Sequence, residues 1–91
     1  MNIVQKRTFK QVYKKLHPEQ KYIVDCEVKK LLENPEIGTQ KKQDLRGVYV
    51  HKFYITNTLY LLAYTFDPVT LRLILLGVHE NFYKNLKIAI K

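Results

Sequence analysis

Cysteine occurs once, at Cys26, so the chain forms no internal disulfide. No ligand-spaced His or Cys surrounds it, and a reducing compartment is the simplest expectation. A Gly-rich phosphate loop, an HExxH motif and a paired-carboxylate motif are all missing. Metal hydrolysis and nucleoside-triphosphate chemistry therefore have little support. Long apolar runs are absent too. The longest, around residues 59–66, contains Tyr and Thr and stops at Asp67. That is far short of the ~20 residues needed to cross a bilayer. The basic opening "MNIVQKRTFKQVYKK" has no apolar segment of the kind found in secretion signals. A soluble, cytoplasmic protein is expected. Acids are missing from residues 1–16, which carry five bases.

What is present fits one globular domain spanning 1–91. The apolar content is 46%, too high for a disordered chain. The net charge is +8. Residues 17–37 are acidic on balance, with five acids and three bases. Residues 38–56 set Lys41, Lys42, Arg46 and Lys52 against Asp44 alone. Bases thus gather at both ends and in the middle, a field that favours polyanions or an acidic protein partner. The plainer reading is a basic domain with solvated lysines.

Residues 2–6 alternate weakly, as a short strand does. Phe9, Val12, Tyr13 and Leu16 follow the i, i+3, i+4, i+7 spacing of a first helix. His17-Pro18 interrupts it, because the residue before proline is pushed out of the helical region. Pro18 suits the first turn of a second helix running to about Asn34, with Ile23, Val24, Val28, Leu31 and Leu32 on its apolar side. So short a link predicts an antiparallel helical hairpin. "EIGTQKKQDLRG" reads as a loop. Three strands follow at about 48–55, 59–66 and 71–78, joined by the turns "ITNT" and "DPVT". Short turns require antiparallel neighbours. The last two strands are apolar on both faces and belong at the sheet centre. Residues 80–90 predict a short terminal helix with Phe82, Leu86 and Ile90 on one side and Glu80/Lys84 paired at i, i+4. The fold class is α+β: an antiparallel sheet packed on an N-terminal helical hairpin, with one sheet face half open as a groove.

Two constellations carry chemistry. His79 leaves the end of a central strand, with Tyr83 four positions on and Lys87 continuing the line. Histidine passes protons near neutral pH, tyrosine donates one, and lysine neutralises phosphate. The alternative is that His79 caps the sheet and Tyr83 packs in the core. The second group is "KKQDLRGVYVHK". Lys41, Lys42, Arg46 and Lys52 can hold phosphate. The rings of Tyr49, Phe53 and Tyr54 can stack on unpaired bases. The alternative is a solvated loop followed by core aromatics. Period two puts Tyr49, His51 and Phe53 on one face and Val48, Val50 and Lys52 on the other. His51 and Lys52 cannot both face one groove in a regular strand, and Lys52 is favoured. Tyr60 and Tyr64 share a face, and one of them is expected at the groove rim. His17 is expected to be structural, and Cys26 to pack within its helix.

The order "QKRTFKQVYKKL", "NPEIGTQKKQDLRGVYVHKF", "LYLLAYTFDPVTLRLILLGVHENFYKNLK" resembles the RelE/ParE superfamily of toxins from type II toxin–antitoxin modules, over almost the whole chain. Its strongest marks are the basic loop ending in "LRG", the strand "VYVHKF" and the terminal "GVHENFY". The resemblance implies the RelE-like fold, a metal-independent activity with no cofactor, and an antitoxin whose flexible, often acidic segment wraps the toxin. It implies either messenger-RNA cleavage on the ribosome or poisoning of DNA gyrase; a relative that only binds, with catalysis lost, is a third possibility. By position, Lys52 matches a strand lysine, Arg46 a loop arginine, and His79 with Tyr83 a terminal His and aromatic. These four are the expected catalytic residues, and Lys41, Lys42, Tyr49, His51 and Lys87 the expected RNA-binding ones. Two departures stand out: Tyr60 or Leu61 occupies the region where some members place an arginine, and His79 stands where others have arginine.

Overall fold

A computed structural model describes residues 1–90. In chain order it contains β1 (Asn2–Gln5), α1 (Arg7–Tyr13), α2 (Pro18–Glu33), β2 (Thr39–Gln40), β3 (Tyr49–Ile55), β4 (Thr58–Phe66), β5 (Thr70–Val78) and α3 (Phe82–Ala89). Two 3-10 turns, Pro35–Ile37 and Gln43–Leu45, punctuate the stretch before β3. The strands form one sheet ordered β1-β5-β4-β3-β2. This is the α+β architecture expected from the sequence.

The helical hairpin forms for local reasons. Pro18 fits the first turn of α2, and His17 before it is extended. Gln20 Oε1 accepts the His17 N–H at 2.8 Å, which stabilises the helix start. The same constraint ends α1 at Tyr13, a turn earlier than the Phe9–Leu16 spacing predicts. Lys15 and Leu16 donate to Val12 and Tyr13 at 3.1 Å, a tightened turn rather than α-helix. Val24, Val28 and Leu31 of α2 pack with Phe9 of α1 against Phe53, Leu62, Tyr64, Leu71, Leu73 and Leu76.

β4 lies at the centre, antiparallel to both neighbours. Its partner β5 contains a bulge. Ala63 pairs with Leu75 and Tyr64 with Leu73, so Ile74 is extra. The bulge resets the alternation: Leu73 and Leu76 face the hairpin, while Ile74 and Leu75 face the other side. The Ile74 carbonyl accepts a hydrogen bond from the Thr8 hydroxyl of α1.

Four details differ from the sequence reading. The edge strand β1 runs parallel to β5, with Asn2 opposite Thr70 and Gln5 opposite Leu73, so the sheet is mixed. The supposed loop contributes β2, where Thr39 pairs with Val50 and Gln40 with Tyr49. The second sheet face is not bare: Leu45, Val48, Val50, Leu61, Ala63, Ile74, Leu75, Phe82 and Leu86 make a second core there. And α3 begins at Phe82, because Asn81 is left-handed (φ 61°). Glu80 therefore precedes the helix and makes no ion pair with Lys84. An eight-residue helix is unstable alone. α3 holds because Phe82 and Leu86 are 2% and 0% exposed, each burial contributing about 1.5–3 kcal/mol.

Candidate nucleic-acid interface

α3 and the loop before β3 meet on the second sheet face. Leu45 anchors the loop by packing into the second core. Lys41 N–H donates to the Val48 carbonyl at 2.9 Å and closes the loop onto β3. Between them the chain reverses through two left-handed residues, Gln43 (φ 56°) and Gly47 (φ 86°). Glycine takes that conformation without strain. With Leu45 turned inward, Lys42 and Arg46 are left exposed.

Tyr83 is half-buried at the start of α3. The His79 ring lies 6.3 Å from its ring, edge to face, and Phe82 lies 5.5 Å from it. Lys41 Nζ sits 4.9 Å from the Tyr83 ring centroid, a cation–π contact. Lys87 reaches Asp44 across the same junction at 3.8 Å, with both groups exposed. Phe82 settles over the strand at Gly77, where a Cβ would meet Phe82 Cδ1 at an ordinary contact distance of 3.6 Å.

Lys52 joins this face by register. It pairs with Leu61, which pairs with Gly77. Two strand spacings put Lys52 and Gly77 roughly 10 Å apart in one row, and His79 follows two residues beyond. Among the described residues, Lys42, Arg46, Lys52 and His79 meet no carboxylate within ion-pair distance. A row of unneutralised cations beside a proton-carrying ring and a phenol suits a polyanion's phosphates.

Tyr49 and His51 lie elsewhere. The alternation of β3 turns Tyr49, His51 and Phe53 to the hairpin. Tyr49 packs against Tyr64 and Phe66 at 5.7 and 5.0 Å between ring centroids. His51 Nε2 donates to Glu27 Oε1 at 2.7 Å, and Glu27 Oε2 takes Lys30 Nζ at 2.8 Å. These two residues are therefore placed in the hairpin interface and not on the basic face. Tyr60 and Tyr64 face the hairpin as well. Tyr64 is buried; its hydroxyl donates to the Pro35 carbonyl at 2.6 Å and accepts from the Gly38 N–H at 3.0 Å. Neither tyrosine reaches the groove rim.

Sequence reading missed Glu27. Burial pushes its carboxyl pKa up, but Lys30 and His51 outweigh that and hold it below the ordinary value. The available signal was an acid inside the Val24–Val28–Leu31 stripe. Among the described residues, no three of His, Cys, Asp and Glu converge as metal ligands, and no helix is long and apolar enough to cross a membrane.

Comparison with known proteins gives one family and one fold. The model of a family described as ParE-like toxin of type II bacterial toxin–antitoxin system matches residues 3–87. No curated protein matches the chain. Among solved structures, an arginine-to-alanine double mutant of the E. coli toxin RelE in the free state is similar, with a TM-score of 0.74 and 19% identity over 98% of this chain and 93% of that one. A chain of the intact E. coli RelBE toxin–antitoxin complex is similar with a TM-score of 0.69 and 20% identity over 87% of this chain and 96% of that one. The isolated E. coli RelE toxin gives 0.66 and 18% over 96% of each chain.

Proposed function

We propose that this chain, which belongs to the ParE-like toxins of type II bacterial toxin–antitoxin systems, cuts messenger RNA on the ribosome and so stops translation. The observation that carries this reading is the face just described: His79 and Tyr83 6.3 Å apart, Lys41 over the phenol, and Lys52 in the neighbouring row. In this reading the ribose 2′-oxygen attacks the adjacent phosphorus and the bond to the 5′-oxygen breaks. His79 carries one of the two protons that must move. Tyr83 orients the RNA or shares the acid role. Lys52 and Arg46 stabilise the charge that builds on the phosphoryl oxygens. Lys41, Lys42 and Lys87 hold the flanking backbone. The fold likeness to a toxin solved with its antitoxin supports a cognate antitoxin as this chain's partner, and the +8 charge favours one with an acidic segment.

Primer extension on a translated message tests the reading. Inducing the wild type should create new 5′ ends. His79→Ala should reduce cutting about 10²–10⁴-fold and Lys52→Ala about 10²–10³-fold, with the fold intact by circular dichroism. A His79→Ala chain that cuts like wild type would remove His79 from the site. Gyrase poisoning is the second reading. The ParE-like family description and the lack of an arginine on β4 favour it. It predicts trapped gyrase cleavage complexes with intact messenger RNA.

A further inference from the structure

β3 presents one aromatic ring to the basic face, and the proposed cleavage gives it no role. Tyr54 lies two positions after Lys52, so both side chains emerge on the same side of the strand. The spacing is roughly 7 Å, the reach from a phosphate to a nearby base in a single strand. Tyr54 is 64% exposed. Among the described residues its ring pairs with no other aromatic and its hydroxyl bonds no protein group. The other aromatics of β3 are spent on packing: Tyr49 and Phe53 face the hairpin core. The neighbour opposite Tyr54 is the half-buried Leu59, so the ring stands on a rigid strand and an apolar floor.

We propose that Tyr54 is a stacking platform for an unpaired base of a single-stranded RNA whose backbone lies along Lys52. The inference rests on the function proposed above and extends it to the strand's grip beyond the cleaved phosphate. Exposed tyrosines are individually common on surfaces. Tyr54 differs from the equally exposed Tyr22 of α2, 68% exposed, in its place. It shares a strand face with an unpaired cation, and that face also carries Gly77, where β5 leads to His79. Stacking on a π-face tolerates any base, so the ring strengthens binding without demanding a particular sequence. A duplex, whose bases are already stacked, offers it nothing.

The test measures binding of a 2′-O-methyl RNA of about ten nucleotides, which resists cleavage, by fluorescence anisotropy across a salt series. Wild type, Tyr54→Ala, Tyr54→Phe, Lys52→Ala and Tyr22→Ala are compared after matching their melting temperatures. Tyr54→Ala should weaken single-strand binding about tenfold or more at an unchanged salt slope. Tyr54→Phe and Tyr22→Ala should bind like wild type. Lys52→Ala should instead flatten the slope by about 0.7. Duplex binding should not respond to Tyr54→Ala. Equal single-strand binding by wild type and Tyr54→Ala overturns the platform while leaving the ribonuclease reading intact. Loss of antitoxin binding with RNA binding preserved assigns Tyr54 to a protein interface and overturns it as well. A wild type that neither binds the RNA nor cuts a translated message overturns both readings together.

Discussion

Glu27 is a carboxylate set among Val24, Val28 and Leu31, and it survives there because Lys30 and His51 both hydrogen-bond to it. Lys30 reaches it from the next turn of α2 and His51 from β3. The pair with His51 ties the hairpin to the sheet through two side chains that are each largely buried. Glu27→Gln keeps the shape and removes the charge, so it should cost about 1–3 kcal/mol near neutral pH. The pH dependence has a definite sign. The folded carboxyl pKa is held below its ordinary 4.5, so the unfolded chain binds the proton more readily. The stabilisation is complete above that ordinary value and fades as pH falls through the lower, folded one. Urea denaturation of both proteins should show a stability gap that narrows as pH falls below the ordinary carboxylate range. A gap that does not narrow as pH falls through the carboxylate range would mean that Glu27 is not the linked group.

The turn between β3 and β4 holds a conformation that its residue resists. Thr56 has φ 57°, a left-handed angle that is a genuine outlier for a β-branched side chain. Hairpin turns of two residues favour glycine at such a position. Thr56→Gly should therefore stabilise the hairpin by about 1 kcal/mol and raise the melting temperature by roughly 4–8 °C. A lower melting temperature would show that the threonine side chain contributes more than the strain costs. "ITNT" announced a turn in the sequence, but residue type alone does not report the sign of φ. The same limit applies to the other elements. The apolar runs of β4 and β5 and the 3.6-residue spacing of both hairpin helices marked their types and central places, because burial repeats with the element. The bulge at Ile74 was invisible, since an all-apolar strand reads the same in either register. Without it, Leu75 and Leu76 exchange faces. The end of α3 nearest the strand was mislocated because Asn81, not Glu80, turns the chain. At the basic face, period two separated Lys52 from His51 correctly, and the Lys41–Tyr83 contact, between residues 42 positions apart in sequence, had no local signal.

Across the whole molecule, charge works against folding and toward binding. The chain has 16 bases, 8 acids and a net charge of +8. Its ion pairs are few among the described residues: Glu27 holds Lys30 and His51, Asp67 holds Arg72 at 3.1 Å, and Asp44 meets Lys87 at 3.8 Å. Of these only the Glu27 group is buried, and exposed pairs contribute little, with a median of about 0–1 kcal/mol. The remaining lysines and arginines repel one another over distances that ordinary salt screens, about 8 Å at physiological ionic strength. Adding salt from about 10 to 150 mM should therefore raise the melting temperature by relieving self-repulsion. Over the same range it should weaken the hold on a single-stranded polyanion, because each neutralised phosphate releases counterions. Differential scanning fluorimetry with and without a short RNA separates the two effects. Without RNA the melting temperature rises with salt. With RNA at saturating low-salt concentration it begins higher and converges on the bare protein as salt increases. A melting temperature that falls with salt in the bare protein would mean that its ion pairs outweigh its repulsion, and that the basic face is neutralised by the chain's own acids rather than kept open for a partner.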